Sequence, residues 1–443
     1  MINNATDNFI EYLFKKSTTI EPRVISKAQA CLADYIAVAE AGAYRSKELW
    51  REFLARAGQG KVPVIGYGVR TDALTACLVN GYNAHCLELD DGQRFAMLHP
   101  GTVVITALIS ATSVYHIDAE DFIVGLIMGY EAACRLAIAI QPGHKKKGFH
   151  AAGTCGTVAA AVAVAFALKM DAHRMKTVVS SAIGSAAGIL EMQEQGSLLK
   201  PYNLARAAMD GLASAMMGFT GLPASDDMLG GPRGFFNLFT ESCDLEKLTA
   251  PSDRFEIERC YVKPYAACRH CHSPIEAALA LYGKIPAEEI SSVLVKTYKL
   301  AIKGHDHTKI IGTSSAKLSI PYSVAAALIL GKGGMEAFND DAVKRDDILE
   351  LTSKVHVEEA PLPPSLPADA RYATVTIESK DSSVYSSSVD YAKGDPENPI
   401  GRDEFIVKIT SLLQYAGRDG DLLQLCIALL DGKADFAKLM SFL

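Results

Sequence analysis

The sequence predicts a mainly α protein, in which a long helical region is followed by a smaller α+β region and a helical tail. Three observations support this prediction. From residue 5 to about 250, apolar residues recur at three- and four-residue spacing, which is the period of an amphipathic helix. After about residue 255, segments with two-residue alternation lie between helical patterns, as expected for the strands of a sheet. From about residue 402 the helical spacing returns, and these last helices could pack on the first region.

The first region reads as helices joined by short polar breaks. The pattern over 26–42 predicts a helix that ends at Gly42, and the pattern over 71–89 predicts one with Thr71 or Asp72 as its N-cap. Asp118 opens a later helix, and Asp171 alone separates two others. Short joints favour antiparallel neighbours in a bundle. The further predicted helices cover 101–117, 118–140, 151–170 and 171–190.

The second region mixes both patterns and predicts a mostly antiparallel sheet with helices against it. A proline-rich loop over 360–370 interrupts it. Strands are predicted over 291–300, 353–359, 371–379 and 383–391, and helices over 273–283, 314–331 and 339–351.

Composition restricts the partners of the protein. With 44 basic and 51 acidic residues the chain carries a formal charge of −7, which argues against general binding of nucleic acid or anionic membranes. An anionic substrate would then be held by a few local lysines and arginines. The N-terminal stretch has no leader pattern, and the apolar run 156–170 is too short to cross a bilayer. We therefore expect a cytoplasmic protein in which this run is a buried core helix.

One short motif points to a different class of protein. Cys268, Cys271 and His272 form a C-x-x-C-H pattern, which is typical of haem attachment and resembles half of a zinc site. The ten cysteines contain no second C-x-x-C, and a structural zinc site needs about four ligands. A metal- or haem-binding protein is therefore the non-enzyme alternative.

Polar side chains interrupt apolar or glycine-rich surroundings in several segments, and together they fit a site that binds a polycarboxylate and moves protons. Removing a proton beside a carboxylate creates an enolate-like anion that positioned cations must stabilise, and histidine suits the base. Each residue also has an ordinary structural interpretation: the aspartates could end a helix, His150 could cap one, and the 145–147 lysine run could be a solvated face. The candidates are Glu88, Asp90, Asp91, His99, His150, Lys200, Lys263, Arg269, His272, Lys317 and Tyr322.

Six ordered blocks of this chain resemble the MmgE/PrpD family, which includes 2-methylcitrate dehydratase, cis-aconitate decarboxylase and iminodisuccinate epimerase. In this family the C-x-x-C-H segment usually reads Lys-x-Tyr-x-x-Cys-Arg-x-x-His, so that Cys271 is incidental. The blocks cover 80–101, 148–161, 200–215, 262–279, 318–328 and 394–405.

The resemblance implies an all-helical domain formed by residues 1–258 and 396–443, and an α+β lid domain over 259–395. It also implies a homodimer, a cleft site, and neither a metal nor an organic cofactor. Carried over residue by residue, the catalytic candidates are His99, His150, Asp90, Asp91 and Tyr322. The candidates for substrate binding are Glu88, Lys200, Lys263, Cys268, Arg269 and His272.

Several departures from the family pattern leave the reaction open. Glu88 stands where members commonly have Asp, and Gly92 where they often have Thr or Ser; Asn203 and Ala205 replace a His-Gly pair, and Lys317 adds a cation. The resemblance favours a hydro-lyase acting on a small di- or tricarboxylate. An epimerase or a decarboxylase is the alternative within the family, and a silent carboxylate-binding paralogue is a further one.

Overall fold

The computed structural model describes residues 4–192, 199–367 and 370–443. Two small sheets accompany the helices within these ranges. The strands are β1 (Val62–Val64), β2 (Val69–Thr71), β3 (Ile290–Thr297), β4 (Val355–Glu359), β5 (Ala373–Ser379) and β6 (Val384–Val389). The helices are α1 (Ala5–Ser17), α2 (Pro22–Arg45), α3 (Lys47–Arg56), α4 (Ala73–His85), α5 (Pro100–Tyr115), α6 (Ala119–Ile140), α7 (Gly143–Lys146), α8 (Ala151–Ala167), α9 (Ala172–Ser185), α10 (Leu199–Met216), α11 (Phe235–Phe239), α12 (Leu245–Thr249), α13 (His272–Leu281), α14 (Lys299–Ile302), α15 (Thr313–Lys317), α16 (Ile320–Leu330), α17 (Asp346–Ser353), α18 (Arg402–Tyr415), α19 (Asp421–Leu430) and α20 (Phe436–Phe442).

The centre of the helical region is α8, and every residue of this helix is buried. It packs against α5, α6, α9 and α10. Its alanines and glycines let neighbouring backbones approach closely: a Cβ on Gly211 of α10 would lie 2.4 Å from the Cβ of Ala160. The prediction that the apolar run 156–170 forms a core helix is confirmed.

The C-terminal tail returns to the helical region, because α18 and α19 pack against α2. The larger sheet has the strand order β4-β3-β5-β6. β3 pairs with β4 in parallel and with β5 antiparallel, and β5 pairs antiparallel with β6. α13 covers this sheet on β5 and β6 and also packs against α16. The prediction of a mainly α fold with a smaller, mostly antiparallel α+β part is confirmed.

Local signals located helix starts well. Asp72, Asp118 and Asp171 are N-caps, and each carboxylate accepts hydrogen bonds from backbone N–H groups of the first turn. These bonds satisfy donors that the helix leaves unpaired. The choice between Thr71 and Asp72 is settled in favour of Asp72.

Three predictions about the chain path were wrong. Gly42 does not end α2, which continues to Arg45; instead, this glycine lets α4 approach, since its Cβ would lie 1.9 Å from the backbone oxygen of Asn83. The hairpin β1–β2 lies inside the region predicted to be helical nearly throughout. The predicted helix over 314–331 is split into α15 and α16, and Ser319 caps the second of them.

α6 is long and apolar enough to span a membrane on composition alone. However, 83% of its most apolar window is buried within the protein. A helix that is apolar all round and packed inside a large protein is expected to look like this.

Candidate active site

A cavity of about 140 Å³ lies where the helical region meets the α+β region. Its walls include several residues predicted from the sequence, namely Glu88, His99, His150, Lys200, Cys268 and Arg269. The cavity shares wall residues, among them Lys145 and His305, with a wider opening of about 1060 Å³. A small molecule could therefore enter from one side and meet the predicted residues together.

Glu88 links two of the predicted lysines. Its carboxylate accepts hydrogen bonds from Lys200 and, at 3.0 Å, from Lys263, which is fully buried. Burial alone would raise the pKa of Glu88, but the two ammonium groups hold it well below its usual value. Glu88 also has a left-handed backbone conformation (φ 56°), which is costly for a residue with a Cβ. The fold therefore fixes this carboxylate between two cations.

Asp90 organises the second part of the cluster. Its Oδ2 accepts hydrogen bonds from His85 Nδ1 at 2.8 Å and from Thr102 Oγ1 at 2.7 Å. Lys263 Nζ lies 3.7 Å from its other oxygen. Although burial opposes ionisation, His85, His99 and Lys263 lower the pKa of Asp90 well below its usual range. Asp90 is thus an ionised group that positions its neighbours.

His99 presents a proton acceptor to the cavity. Its Nδ1 donates to the backbone oxygen of Asp91 at 2.7 Å, so a neutral ring keeps its lone pair on Nε2. Burial lowers the pKa of His99 to about 3, against the attraction of Asp90. The ring is therefore an unprotonated base in the free protein.

His150 has the opposite arrangement. The side-chain amide of Asn203 donates to His150 Nδ1 at 2.7 Å, so the neutral ring carries its proton on Nε2. Burial and the nearby Lys200 hold the pKa of His150 well below its ordinary value. Two neutral imidazoles thus line the same cavity, one as a proton acceptor and one as a proton donor.

Both histidines are N-cap residues of long helices: His99 precedes α5, and His150 precedes α8. The N-terminus of an α-helix carries a partial positive charge and unpaired N–H groups, which favour anions. Two such ends at the cavity add to the lysines and make it attractive to carboxylates.

Tyr261 is a site residue that the sequence analysis missed. It lines the cavity, and its hydroxyl has no hydrogen-bond partner within the described ranges. Gly92 provides the room, since a Cβ there would lie 2.3 Å from the Tyr261 hydroxyl oxygen. Burial raises the pKa of this phenol, so that it stays protonated. The signal in the sequence was the glycine at position 92, but no local pattern links that glycine to Tyr261.

Cys268 forms a close pair with His305, the first histidine of an H-x-H pattern that ends at His307. The thiol sulfur lies 3.3 Å from His305 Nε2. Although burial opposes ionisation, His305 lowers the pKa of Cys268 to about 6, and Cys268 in turn raises the pKa of His305. The cavity wall therefore carries a thiolate–imidazolium pair near neutral pH.

Tyr322 and Asp91 were predicted to lie at the site, but neither of them lines this cavity. The Tyr322 hydroxyl donates to the backbone oxygen of Ala337 at 2.8 Å. The Asp91 carboxylate accepts from the Tyr130 hydroxyl at 2.6 Å and from the N–H of Gly101 at 3.1 Å. Burial raises the pKa of Asp91 to about 7. Both residues hold neighbouring segments in place, and their catalytic role stays a prediction.

Arg269 and His272 also have structural partners. The Arg269 guanidinium pairs with Asp395 at 2.7 Å and donates to His272 Nδ1 at 2.8 Å. His272 Nε2 bonds to the backbone oxygen of Ala267 at 3.1 Å. Their bonds pin the segment after β6 to the start of α13. Arg269 nevertheless lines the cavity, whereas His272 is not among its wall residues.

The C-x-x-C-H segment does not present its three side chains to one point. Cys268 faces the cavity, whereas the Cys271 thiol is buried and donates to the backbone oxygen of Lys317 at 3.8 Å. Within the described residues, His85, Asp90 and His99 place possible metal ligands within 4.8 Å of one another. Lys263 already lies beside the same aspartate, and its ammonium charge would repel a metal cation.

Lys317, the cation added relative to the family pattern, does not line this cavity. Its ammonium donates to the backbone oxygen of Leu87 at 3.1 Å, and burial lowers its pKa to about 8. It therefore supports the loop that carries Glu88.

Comparison with known proteins gives two family matches and several distant relatives. The family models of the MmgE/PrpD N-terminal domain and the MmgE/PrpD C-terminal domain match residues 11–248 and 265–435. A cis-aconitate decarboxylase-like protein of Aspergillus oryzae is 27% identical over 426 residues, covering 88% of this chain and 86% of that protein. The cis-aconitate decarboxylase of Aspergillus terreus is 25% identical, covering 75% of this chain and 73% of the relative. The human cis-aconitate decarboxylase is 23% identical, covering 76% of this chain and 72% of the relative.

Proposed function

Because the chain belongs to the MmgE/PrpD family, we propose that it is a hydro-lyase that removes water from a small polycarboxylate. The observation that carries this proposal is the complementary pair of neutral imidazoles beside a lysine-bound carboxylate. Dehydration needs a base for the proton on carbon and an acid for the leaving hydroxide. His99 and His150 fit those two tasks in the same cavity.

In the proposed first step, His99 Nε2 takes the proton from the carbon next to a substrate carboxylate. The negative charge then spreads onto that carboxylate, and the ammonium group of Lys200 stabilises it. The pKa of about 3 for His99 describes the free protein. A bound anionic substrate would place negative charge near the ring and raise this pKa toward neutrality.

In the proposed second step, the C–O bond breaks and His150 donates its Nε2 proton to the leaving hydroxide, which departs as water. His150 is left as an imidazolate and regains a proton when the protonated His99 gives up the one it removed. Tyr261 is a further proton donor in the cavity wall and could hydrogen-bond to the same oxygen. Asn203 fixes the tautomer of His150. Only groups of this chain are used in these steps.

A second candidate, decarboxylation, is favoured by the curated relatives, which are named as cis-aconitate decarboxylases. In that reaction the C–C bond to a carboxylate breaks, CO2 leaves, and a proton donor such as His150 supplies the proton on carbon. The same lysines would stabilise the carbanion. The cavity serves both reactions, and the substrate decides between them.

The test is a screen of citrate-, aconitate-, methylcitrate- and aspartate-derived acids with purified protein in D2O, followed by proton NMR. New vinyl signals with retained carboxylates support dehydration, whereas CO2 release with deuterium on carbon supports decarboxylation. Exchange at the α-carbon with inversion only would make the protein an epimerase. No change in any acid would contradict the lyase proposal.

Two variants test the roles of the histidines. His99→Gln should abolish deuterium exchange at the α-carbon, because the base is lost. His150→Gln should retain exchange while product formation falls at least ~100-fold, a typical contribution of acid–base catalysis. The exposed His173→Gln on α9 is the matched control and should keep full activity. Unimpaired turnover in both active-site variants would refute these roles.

A further inference from the structure

The two cysteines of the C-x-x-C segment stand at the ends of one tight turn. Cys268 precedes a short 3-10 turn, Arg269–Cys271, which leads directly into α13. The backbone N–H of Cys271 donates to the backbone oxygen of Cys268 at 2.8 Å. Such a bond closes a four-residue turn whose end Cα atoms lie within about 7 Å of each other, and a disulfide spans about 4.4–6.8 Å between Cα atoms. The backbone therefore holds the two cysteines at a spacing that a disulfide can bridge.

The two thiols differ in access. Cys268 is partly exposed and lines the cavity, which joins the wider opening beside His305. Cys271 is fully buried, and its thiol donates to the backbone oxygen of Lys317 at 3.8 Å. The same oxygen accepts a hydrogen bond from the backbone N–H of Cys268 at 2.8 Å. The Cys271 sulfur therefore lies on the inner side of the turn, where a solute from the cavity meets Cys268 first.

His305 prepares Cys268 to react. Its Nδ1 donates to the backbone oxygen of Lys303 at 3.2 Å, so Nε2, which lies 3.3 Å from the Cys268 sulfur, is the atom that takes the thiol proton. The thiolate is the reactive form of cysteine. Burial, together with the charge of Cys268, raises the pKa of the Cys271 thiol well above its usual value. One cysteine is thus an accessible nucleophile, and the other is a shielded thiol that keeps its proton.

The resemblance to the family does not account for this pairing. The family pattern includes Cys268 but places no constraint on position 271, so the second cysteine is a feature of this chain. A C-x-x-C pair in which the first cysteine is a stabilised thiolate is typical of proteins that form and break a disulfide reversibly. The segment that matches a haem or zinc motif by its letters therefore has a different chemistry available to it.

We propose that Cys268 and Cys271 form a reversible oxidation site for peroxides, in which Cys268 reacts first and Cys271 completes a disulfide. The Cys268 thiolate attacks one peroxide oxygen, the O–O bond breaks, and the hydroxide that leaves takes the proton of the His305 imidazolium and departs as water. The sulfenic acid that results is then attacked by the Cys271 sulfur. The S–O bond breaks, the S–S bond forms, and the second hydroxide leaves as water with the Cys271 proton. The two thiols lose two electrons, and the peroxide gains them.

The test treats the folded, full-length protein with a small excess of hydrogen peroxide, blocks the remaining thiols in acidic denaturant, and identifies the products by mass spectrometry. Two of the ten thiols should be lost. Trypsin cleaves after Arg269, so the disulfide should join the peptide 260–269 to the peptide 270–284. Dithiothreitol should separate the two peptides and restore both thiols.

Three variants assign the sulfurs. Cys260→Ser is the matched control and should keep the disulfide, because Cys260 lies in the same peptide as Cys268 but is buried beside Cys134. Cys268→Ser should abolish the disulfide and leave the Cys271 thiol intact. Cys271→Ser should stop at the sulfenic acid of Cys268, which dimedone traps, and should proceed to the sulfinic acid in excess peroxide.

Three results would overturn the proposal. They are an unmodified Cys268 in the wild type, its oxidation directly to the sulfinic acid without a disulfide, and a link between the two peptides that survives in Cys268→Ser. The wild-type measurement needs no substitution, so it decides the matter even if a variant does not fold. The readout also needs no substrate, so the oxidation site and the lyase proposal stand or fall separately.

Discussion

The Cys268–His305 pair gives a prediction that can be worked out in numbers. A thiol with a pKa of about 6 is about half ionised at pH 6, whereas an ordinary cysteine with a pKa of about 8.5 is about 0.3% ionised there. A low-pKa thiolate is also intrinsically less reactive, by about tenfold over this difference. The net advantage of Cys268 over an ordinary thiol is therefore roughly tenfold at pH 6 for equal access.

Partial burial slows access at every pH, so the midpoint of the rate–pH profile is the sharper measure. We expect iodoacetamide to alkylate Cys268 with a midpoint near the pKa of about 6. In His305→Asn the imidazolium is lost while burial remains, so the midpoint should rise to about 8 or higher. Mass spectrometry of the peptide that contains Cys268 measures both.

Cys243 is an internal control in the same sample. Cys243 lies at the protein surface, but its thiol group is partly buried, which together with the charge of Asp244 raises its pKa to about 11. Its alkylation should therefore begin only at high pH. His307→Asn changes the other histidine of the H-x-H pattern, whose ring bonds to Ser315, and should leave the Cys268 midpoint in place. A wild-type midpoint between about 8 and 9 would refute the ion-pair reasoning.

Three further predictions concern the packing of the fold and the charges of the site. Gly42→Ala should lower the unfolding free energy by ~1–3 kcal/mol, because the new Cβ meets a backbone oxygen of α4 at 1.9 Å. The control Gly184→Ala has nothing within 4 Å of the new Cβ and should raise the unfolding free energy by up to ~1 kcal/mol. Equal stabilities of the two variants in urea titration would contradict the close approach at Gly42. Glu88→Gln should lower the unfolding free energy by about 3 kcal/mol at pH 7, because the buried Lys263 ammonium loses its partner at 3.0 Å and keeps only Asp90 at 3.7 Å. Since the folded-state pKa of Glu88 is lowered, the difference in unfolding free energy between the wild type and this variant is fully present above the unfolded pKa of about 4.3. It should shrink as the pH falls below that value. A difference that does not change with pH would argue against the ion pair. Gly92→Ser should displace the Tyr261 hydroxyl and thereby reduce kcat. Tyr261→Phe removes the same hydroxyl and should reduce kcat by a similar factor, with little change in melting temperature. Full activity in both variants would exclude a role for that phenol.

Much of the fold could be predicted because its signals are local. Asp72, Asp118 and Asp171 precede helices whose N–H groups they cap, and two-residue alternation located the strands of the larger sheet. The ordered family blocks likewise gave His99, His150 and Lys200, all of which line one cavity. The homodimer, the cytoplasmic location, the absence of a cofactor and the domain boundaries stay predictions.

By itself, the sequence determined which segments are helices and strands and which residue types are available for chemistry, because helix period, strand alternation and capping act within a few residues of the chain. Only the tertiary structure decided which tyrosine faces the cavity and which cations are held by a carboxylate of the protein. Tyr261 reaches the cavity through the space that Gly92 leaves, and Arg269 is paired with Asp395. These outcomes depend on contacts between residues far apart in the chain, and burial and charge at a site are set by all the groups that the fold brings together there.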